Sequence, residues 1–235
     1  LHDSESLWRL LDTLGDLQSF FVLEQFIPGD VFHVDGLVND GDVLFQQAHQ
    51  YGRPPMSVYH EGGIFITRAL DRQSPEAKGL FTINRQVQGA LGMKRGATHT
   101  EFIRAHADGR LYFLETAARV GGANIAEAVR FATGVDLWGE WARMEVALLR
   151  GDAYQLPEVR EGYAGVINCL ARQEWPDLSA YTEPEIAWQM KKKHHAGLIV
   201  ASPDSARVEQ LLNDYAARFA NDFLAVMPPL DKAPA

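Results

Sequence analysis

Between two runs of alternating apolar and polar residues, Val31 to Val38 and Val43 to Gln50, stands the tripeptide Asn39-Asp40-Gly41. Such a tripeptide joining alternating runs signals a tight β-hairpin, because these residue types accept the positive φ of a short turn. Antiparallel pairing is therefore expected early in the chain. The rest of the sequence continues in the same style. Short strands are predicted at 20–24, 62–67, 97–105, 111–115, 163–171, 185–191 and 197–201. Helical spacing marks 4–14, 74–91, 124–131, 135–149 and 204–224, and the tail from Pro228 is expected to fray. Strands outnumber helices, so the fold class is α+β around a largely antiparallel sheet flanked by helices. Neither GxGxxG nor GxxxxGK[ST] occurs, which argues against dinucleotide-binding and P-loop folds.

Composition narrows the function. A chain of 235 residues with a formal charge of −9 is long enough to bury a core without disulfide or metal staples, and it is a poor partner for nucleic acid. No run approaches the ~18 apolar residues of a membrane helix. The single Cys169 rules out an intrachain disulfide and a CxxC zinc site and is compatible with a reducing cytoplasm. It lies in the apolar run Val166 to Leu170 and is expected to be a buried small side chain. Trp138, Trp141, Met144 and Leu148 fall at helical spacing and read as core. His33 and Asp35 alternate on one strand face and read as polar sheet surface. Lys191-Lys192-Lys193-His194-His195 reads as a solvated strand end.

The densest chemistry lies between His99 and Gly122. If Ala107-Asp108-Gly109 is a three-residue hairpin loop, residues pair when their numbers sum to 216, which places Glu101 opposite Glu115. Like charges facing across strands are unfavourable unless something lies between them, and a divalent cation is the simplest candidate. His99 shares the face of Glu101, and Arg119 leaves the second strand towards the same region. Gly121-Gly122 precedes a helix whose free amides suit an anion. A loop one residue longer would turn the two glutamates to opposite faces and leave both solvated. A zinc site at His99 and Glu101 is a further alternative, without a second histidine or thiolate at a usable spacing.

Four segments, in order, resemble motifs of the ATP-grasp ligases. Leu23 to Asp35 (LEQFIPGDVFHVD) resembles the adenine hinge. Gly96 to Phe102 (GATHTEF) and Phe113 to Gly122 (FLETAARVGG) resemble the two metal-binding strands, and Thr133 to Leu137 (TGVDL) resembles the segment that follows them. The resemblance is nearest to amino-acid ligases and the large chain of carbamoyl-phosphate synthetase. It implies an ATP- and Mg²⁺-dependent carboxylate–amine ligase working through an acyl phosphate, with Mn²⁺ as an alternative ion and small carboxylate and amine substrates. On this resemblance Glu24, Gln25, Phe26 and Ile27 bind adenine, and Asp30 binds ribose. Glu101 and Glu115 hold the metal, and Arg119 contacts phosphate or acyl phosphate. Gly121 and Gly122 offer amides to the substrate carboxylate, with His99 and Arg68 as further substrate contacts. Residues 1–155 correspond to the nucleotide- and metal-binding part, and 156–235 to a small sheet-and-helix piece that closes the module.

Two departures qualify this expectation. Relatives often carry Asn two residues after the second Glu, where this chain has Ala117. The phosphate-binding Lys and glycine-rich loop of the family's N-terminal subdomains have no counterpart before the first helix. The chain is thus expected to be the C-terminal portion of a longer ligase and inactive without the remainder, with a homodimer compatible. The alternative is a non-catalytic nucleotide-binding or interaction module descended from such enzymes, which Ala117 favours and the joint presence of Glu101, Glu115 and Arg119 disfavours.

Overall fold

The computed structural model describes residues 3–56, 58 and 62–225, so the tail expected to fray lies outside the described residues. The Asn-Asp-Gly signal is realised as a two-residue turn: Asn39 pairs with Asp42, while Asp40 and Gly41 adopt φ of 53° and 91°. It joins β1 (Gly29–Asn39) to β2 (Asp42–Tyr51). The other strands are β3 (Phe65–Ala69), β4 (Gly96–Ala105), β5 (Leu111–Ala117), β6 (Tyr163–Leu170), β7 (Ile186–Gln189) and β8 (His195–Ser202). All eight form one antiparallel sheet in the order β5-β4-β1-β2-β3-β6-β8-β7. The pairing of β3 with β6 carries the sheet across residue 155.

Five helices accompany the sheet among the described residues: α1 (Ser4–Leu14), α2 (Pro75–Ala90), α3 (Ile125–Thr133), α4 (Leu137–Arg150) and α5 (Ser205–Asp222). Their starts follow local chemistry. Asp3 accepts from the Ser6 amide at 2.6 Å, Ser74 from Ala77 at 3.1 Å and Asp204 from Ala206 at 2.9 Å. Caps of this kind contribute about 1 kcal/mol each by satisfying amides that lack helical partners. No helix among the described residues is long and apolar enough to cross a membrane.

Helices cover both sheet faces. On one, Phe32, Val34, Ala48 and Phe102 pack against Leu80 and Phe81 of α2, and Ile167, Leu198 and Val200 pack against Leu211, Leu212 and Phe219 of α5. On the other, Leu37, Phe45 and Ala97 meet Ile125 and Val129 of α3 and Met144 of α4. This second face also bears the polar residues described below.

Two expectations need correction. Residues 20–24 form no strand. A 3₁₀ turn at Gly15–Phe20 is followed by irregular, exposed chain, because this run has no neighbouring strand to pair with and the sheet ends at β5 and β7. On α4 only Met144 of the predicted stripe is fully buried. The inward stripe is Leu137, Glu140 and Met144, while Trp138 and Leu148 are exposed and Trp138 stacks on Trp141. Glu140 tolerates this burial by accepting from Tyr154 Oη at 2.8 Å and pairing with Arg143. Cys169 is buried as expected, and burial pushes its thiol up to about 11.

Candidate active site

Glu101 on β4 does stand opposite Glu115 on β5, by a different route from the one predicted. Near the turn the strands pair one residue earlier: Arg104 faces Leu111, and the Ala105 amide donates to the Arg110 carbonyl at 3.0 Å. The connection is therefore a four-residue loop, His106 to Gly109, with Gly109 in the left-handed region at φ 69°. A bulge between Glu101 and Phe102 then restores the register, because Phe102 faces Phe113 and Leu114 is left as the extra residue. Bulges bend a strand and re-aim its side chains. Here the bulge decides that both carboxylates share a face.

The two carboxylates differ in setting. Glu115 is exposed and makes no hydrogen bond or ion pair with a described residue. Glu101 is largely buried; its Oε1 accepts from Tyr51 Oη at 2.7 Å and lies 3.4 Å from His99 Nε2. Burial would raise the Glu101 pKa, but the bonds from His99 and Tyr51 outweigh it and hold the group below its ordinary value. Burial and the Glu101 charge push the Tyr51 phenol up, and Glu115 adds to the same effect. Neither carboxylate is paired with a guanidinium among the described residues. Among the described residues Glu101 Oε2 and both oxygens of Glu115 accept no hydrogen bond, and a pair of carboxylate oxygens fits Mg²⁺, which takes hard oxygen donors. Ala117, opposite His99, adds no oxygen ligand.

Behind Glu101 lies a buried polar cluster. Register places His33 opposite both His49 and Glu101, and Asp35 opposite His99. Asp35 accepts from His33 Nδ1 at 2.6 Å and from His99 Nδ1 at 2.8 Å, and its side chain has no solvent exposure. Burial alone would raise the Asp35 pKa, yet the two imidazoles hold it far below the carboxylate range. For His99 burial is likewise outweighed, by Asp35 and then Glu101, and its pKa rises to about 10. An imidazole between two carboxylates donates from both nitrogens. His33 Nε2 pairs with Thr67 Oγ1 at 2.7 Å, and burial lowers the His33 pKa. His49 stacks on His33 at 4.7 Å and 6°, neither of its nitrogens has a hydrogen-bond partner among the described residues although Nδ1 lies 3.6 Å from Asp35 Oδ2, and burial with the nearby His33 pushes its pKa down to about 3.

The remaining predicted residues divide. Arg119 is exposed, and among the described residues its side chain donates only to the Val120 carbonyl, at 3.1 Å. Gly122 is exposed in the turn before α3, where Ala123 and Asn124 adopt φ of 50° and 65°. Gly121 is buried, and a Cβ there would stand 2.6 Å from Asp35 Oδ1 and 3.0 Å from His99 Nδ1. It is a close-approach glycine beneath the cluster. Glu24, Gln25, Phe26 and Ile27 lie in the irregular segment before β1, with Ile27 partly covered and the others exposed. Asp30 shares the α2 face with Phe32, where it binds Arg104 at 2.7 Å. Arg68 is on that face too, bonded to Gln50 at 2.9 Å and Glu209 at 3.2 Å in a cleft of about 520 Å³. The structure thus gathers His99, Glu101, Glu115 and Gly121, but not Asp30 or Arg68. His33 and Asp35, expected as polar sheet surface, are wholly buried, and the sequence reading passed over His49 and Tyr51. Its missed signal was the recurrence of polar pairs two residues apart on three apolar strands: His33/Asp35, His49/Tyr51 and His99/Glu101.

Comparison with known proteins bears on the fold. No family model matches the chain. It is 26% identical over 199 residues to the L-arginine-specific L-amino acid ligase of Bacillus subtilis, covering 79% of this chain and 46% of that protein. It resembles the crystal structure of an L-amino acid ligase from Bacillus licheniformis, with TM-score 0.66 and 18% identity, over 97% of this chain and 61% of that one. It also resembles the biotin carboxylase domain of the Hydrogenobacter thermophilus 2-oxoglutarate carboxylase, a dimer in complex with MgADP, ADP and bicarbonate. That match has TM-score 0.58 and 16% identity, over 96% of this chain and 53% of that one. The chain therefore spans about half the length of the relatives it matches. With one antiparallel sheet and helices on both faces, the chain has the fold of the ATP-grasp ligases among these structures.

Proposed function

We propose that this chain is part of an ATP- and Mg²⁺-dependent carboxylate–amine ligase acting on an amino acid or a similar small carboxylate. The observation that carries the reading is the pairing of Glu101 with Glu115 across β4 and β5, restored by the bulge at Leu114. Like charges are placed opposite each other at a position where a one-residue slip would separate them. In this reading residues 1–155 bear the nucleotide and metal site, and 156–235 close the module.

Glu101 and Glu115 would hold the divalent ion, Mg²⁺ or Mn²⁺, which when bound neutralises charge on the phosphate oxygens. In the first half-reaction a substrate carboxylate oxygen attacks the γ-phosphorus of ATP, forming the acyl phosphate as ADP leaves. In the second, the amine nitrogen attacks the acyl carbon, phosphate departs, and the nitrogen loses a proton. Arg119, exposed just beyond the end of β5, would hold the charge that develops on the transferred group. The amides at the start of α3, which receive no side-chain cap, and that of Gly122 would suit the substrate carboxylate. Glu24 to Ile27 would read the adenine edge through their backbone groups. In this reading the remainder of the module, with its phosphate-binding residues, would complete the site.

The test uses the full-length protein. Glu115→Gln should abolish amino-acid-dependent ADP release and leave thermal unfolding unchanged, because Glu115 is exposed and makes no hydrogen bond or ion pair with a described residue. Wild-type turnover in this variant would reject the metal assignment.

A further inference from the structure

We propose that Asp35 is a positioning residue for the metal-binding carboxylate: through His99 it holds Glu101 in the orientation that faces Glu115. The inference rests on the ligase reading above. A wholly buried carboxylate is expensive to maintain, and apolar residues of similar size generally stabilise a core at least as well. The next residues on this face, Leu37 and Phe45, show that an apolar filling was available. Asp35 therefore has some role other than filling the core.

Its bonds point outward to the site. Oδ1 accepts from His99 Nδ1 at 2.8 Å, which fixes the plane of that ring, so the opposite nitrogen, Nε2, lies 3.4 Å from Glu101 Oε1. Oδ2 accepts from His33 Nδ1 at 2.6 Å, and the His33 ring packs at 4.6 Å on Tyr51, whose hydroxyl donates to Glu101 at 2.7 Å. Two arms thus run from one carboxylate to the other. Stacking by His49 holds the second arm flat, and Gly121 closes over Asp35 so tightly that no side chain fits between. The same backbone continues to Arg119. Groups behind a metal ligand that fix its direction commonly matter as much as 10–100-fold in metal affinity.

His33, Asp35 and His99 could also be read as ligands for a transition ion, since donor atoms from all three lie within 4.8 Å of one another. The spacing speaks against it. Two donors around tetrahedral zinc stand roughly 3.3 Å apart for bonds of about 2.0 Å, whereas Asp35 is 2.6 Å and 2.8 Å from its two partners. Those are separations with a proton between the atoms.

The experiment titrates the full-length protein with Mn²⁺, read by the EPR signal of free Mn²⁺ and by calorimetry, in parallel with thermal unfolding. Asp35→Asn should weaken Mn²⁺ binding by about 10–100-fold. His99→Gln should do so to a similar degree, and the double variant no more than the worse single, because the two residues act in series. A role confined to stability would lower the unfolding temperature and leave Mn²⁺ affinity within twofold of wild type, which would overturn the inference. Should Asp35→Asn fail to fold, His99→Gln decides, since Asp35 there keeps its bond to His33. Stoichiometric Zn²⁺ binding lost in Asp35→Asn and His33→Ala but kept in Glu101→Gln would also overturn it. Mn²⁺ binding that is lost in Glu115→Gln but unchanged in Asp35→Asn rejects this inference and leaves the ligase reading standing. Absence of Mn²⁺ binding by wild type rejects both.

Discussion

Where β6 and β8 meet α5, burial is almost entirely apolar: Ile167, Leu198 and Val200 from the sheet close on Leu211, Leu212 and Phe219. Where β1, β2 and β4 meet the turn before α3, the same degree of burial encloses His33, Asp35, His49 and His99. Both regions are parts of one antiparallel sheet and share its geometry. The first gains about 25 cal/mol for each Å² of apolar surface it removes from water. The second must offset desolvation with hydrogen bonds, and among the described residues both nitrogens of His49 go without one. A sheet that can bury aliphatic residues at one end and buries imidazoles and a carboxylate at the other uses the second end for something besides stability.

That contrast can be broken most sharply by removing apolar volume. Phe219→Ala, in the fully buried α5 core, should cost about 3–5 kcal/mol in chemical unfolding and leave Mn²⁺ affinity unchanged. A change in metal binding would mean that the two regions are coupled and the comparison is false.

Dependence on pH should separate the regions next. His99 has its pKa raised from 6.5 to about 10, so its contribution is complete below about 6.5 and lost as pH rises through 10. His49 is neutral when folded, with its pKa depressed from 6.5 to about 3. The unfolded chain takes up that proton first, so stability also falls as pH drops from about 6.5 towards 3. The lowered pKa values of Asp35 and Glu101 add to the acid-side loss as those groups protonate. Unfolding free energy measured across this range should peak near pH 6.5 and decline by the order of a few kcal/mol on either side. In Asp35→Asn the decline above neutrality should shrink. A flat profile in the wild type would contradict the buried charge pattern.

The smallest effect tests the seal over the cluster. Gly121→Ala puts a methyl against Asp35, His99 and Ile125, with separations of 2.6 to 3.1 Å before relaxation. Overpacking of this kind costs about 1–3 kcal/mol. Gly122→Ala meets nothing within 4 Å and serves as the control. Equal unfolding temperatures for the two variants would show that the close approach of Gly121 is not needed.

Much of this architecture was legible in the sequence because it depends on local chemistry. Asn39-Asp40-Gly41 specifies its turn through residues that accept positive φ, and Asp3, Ser74 and Asp204 cap helices by reaching amides two or three residues ahead. Alternation and helical spacing located most strands and helices for the same reason. They failed at 20–24, where an apolar run has no strand to pair with, and on α4, where docking selected a stripe one residue away from the tryptophans.

The site was only half legible. Motif and spacing singled out Glu101, Glu115 and Arg119 as candidates and put the two glutamates opposite each other, although the assumed loop was one residue short and the bulge at Leu114 made good the difference. No local rule reports such a bulge, since it compensates a register set elsewhere in the strand pair. Asp35 read as sheet surface because a lone acid on an alternating strand is ordinarily solvated. Pairing of β1 with both β2 and β4 put His49 and His99 beside it, and Gly121 then excluded water. The amino-acid order by itself determined which segments would be strands and helices and which acids were candidates for metal. Whether those acids share a face, and whether a carboxylate lies in water or between two imidazoles, was decided by tertiary structure, because register and burial depend on residues far apart in the chain.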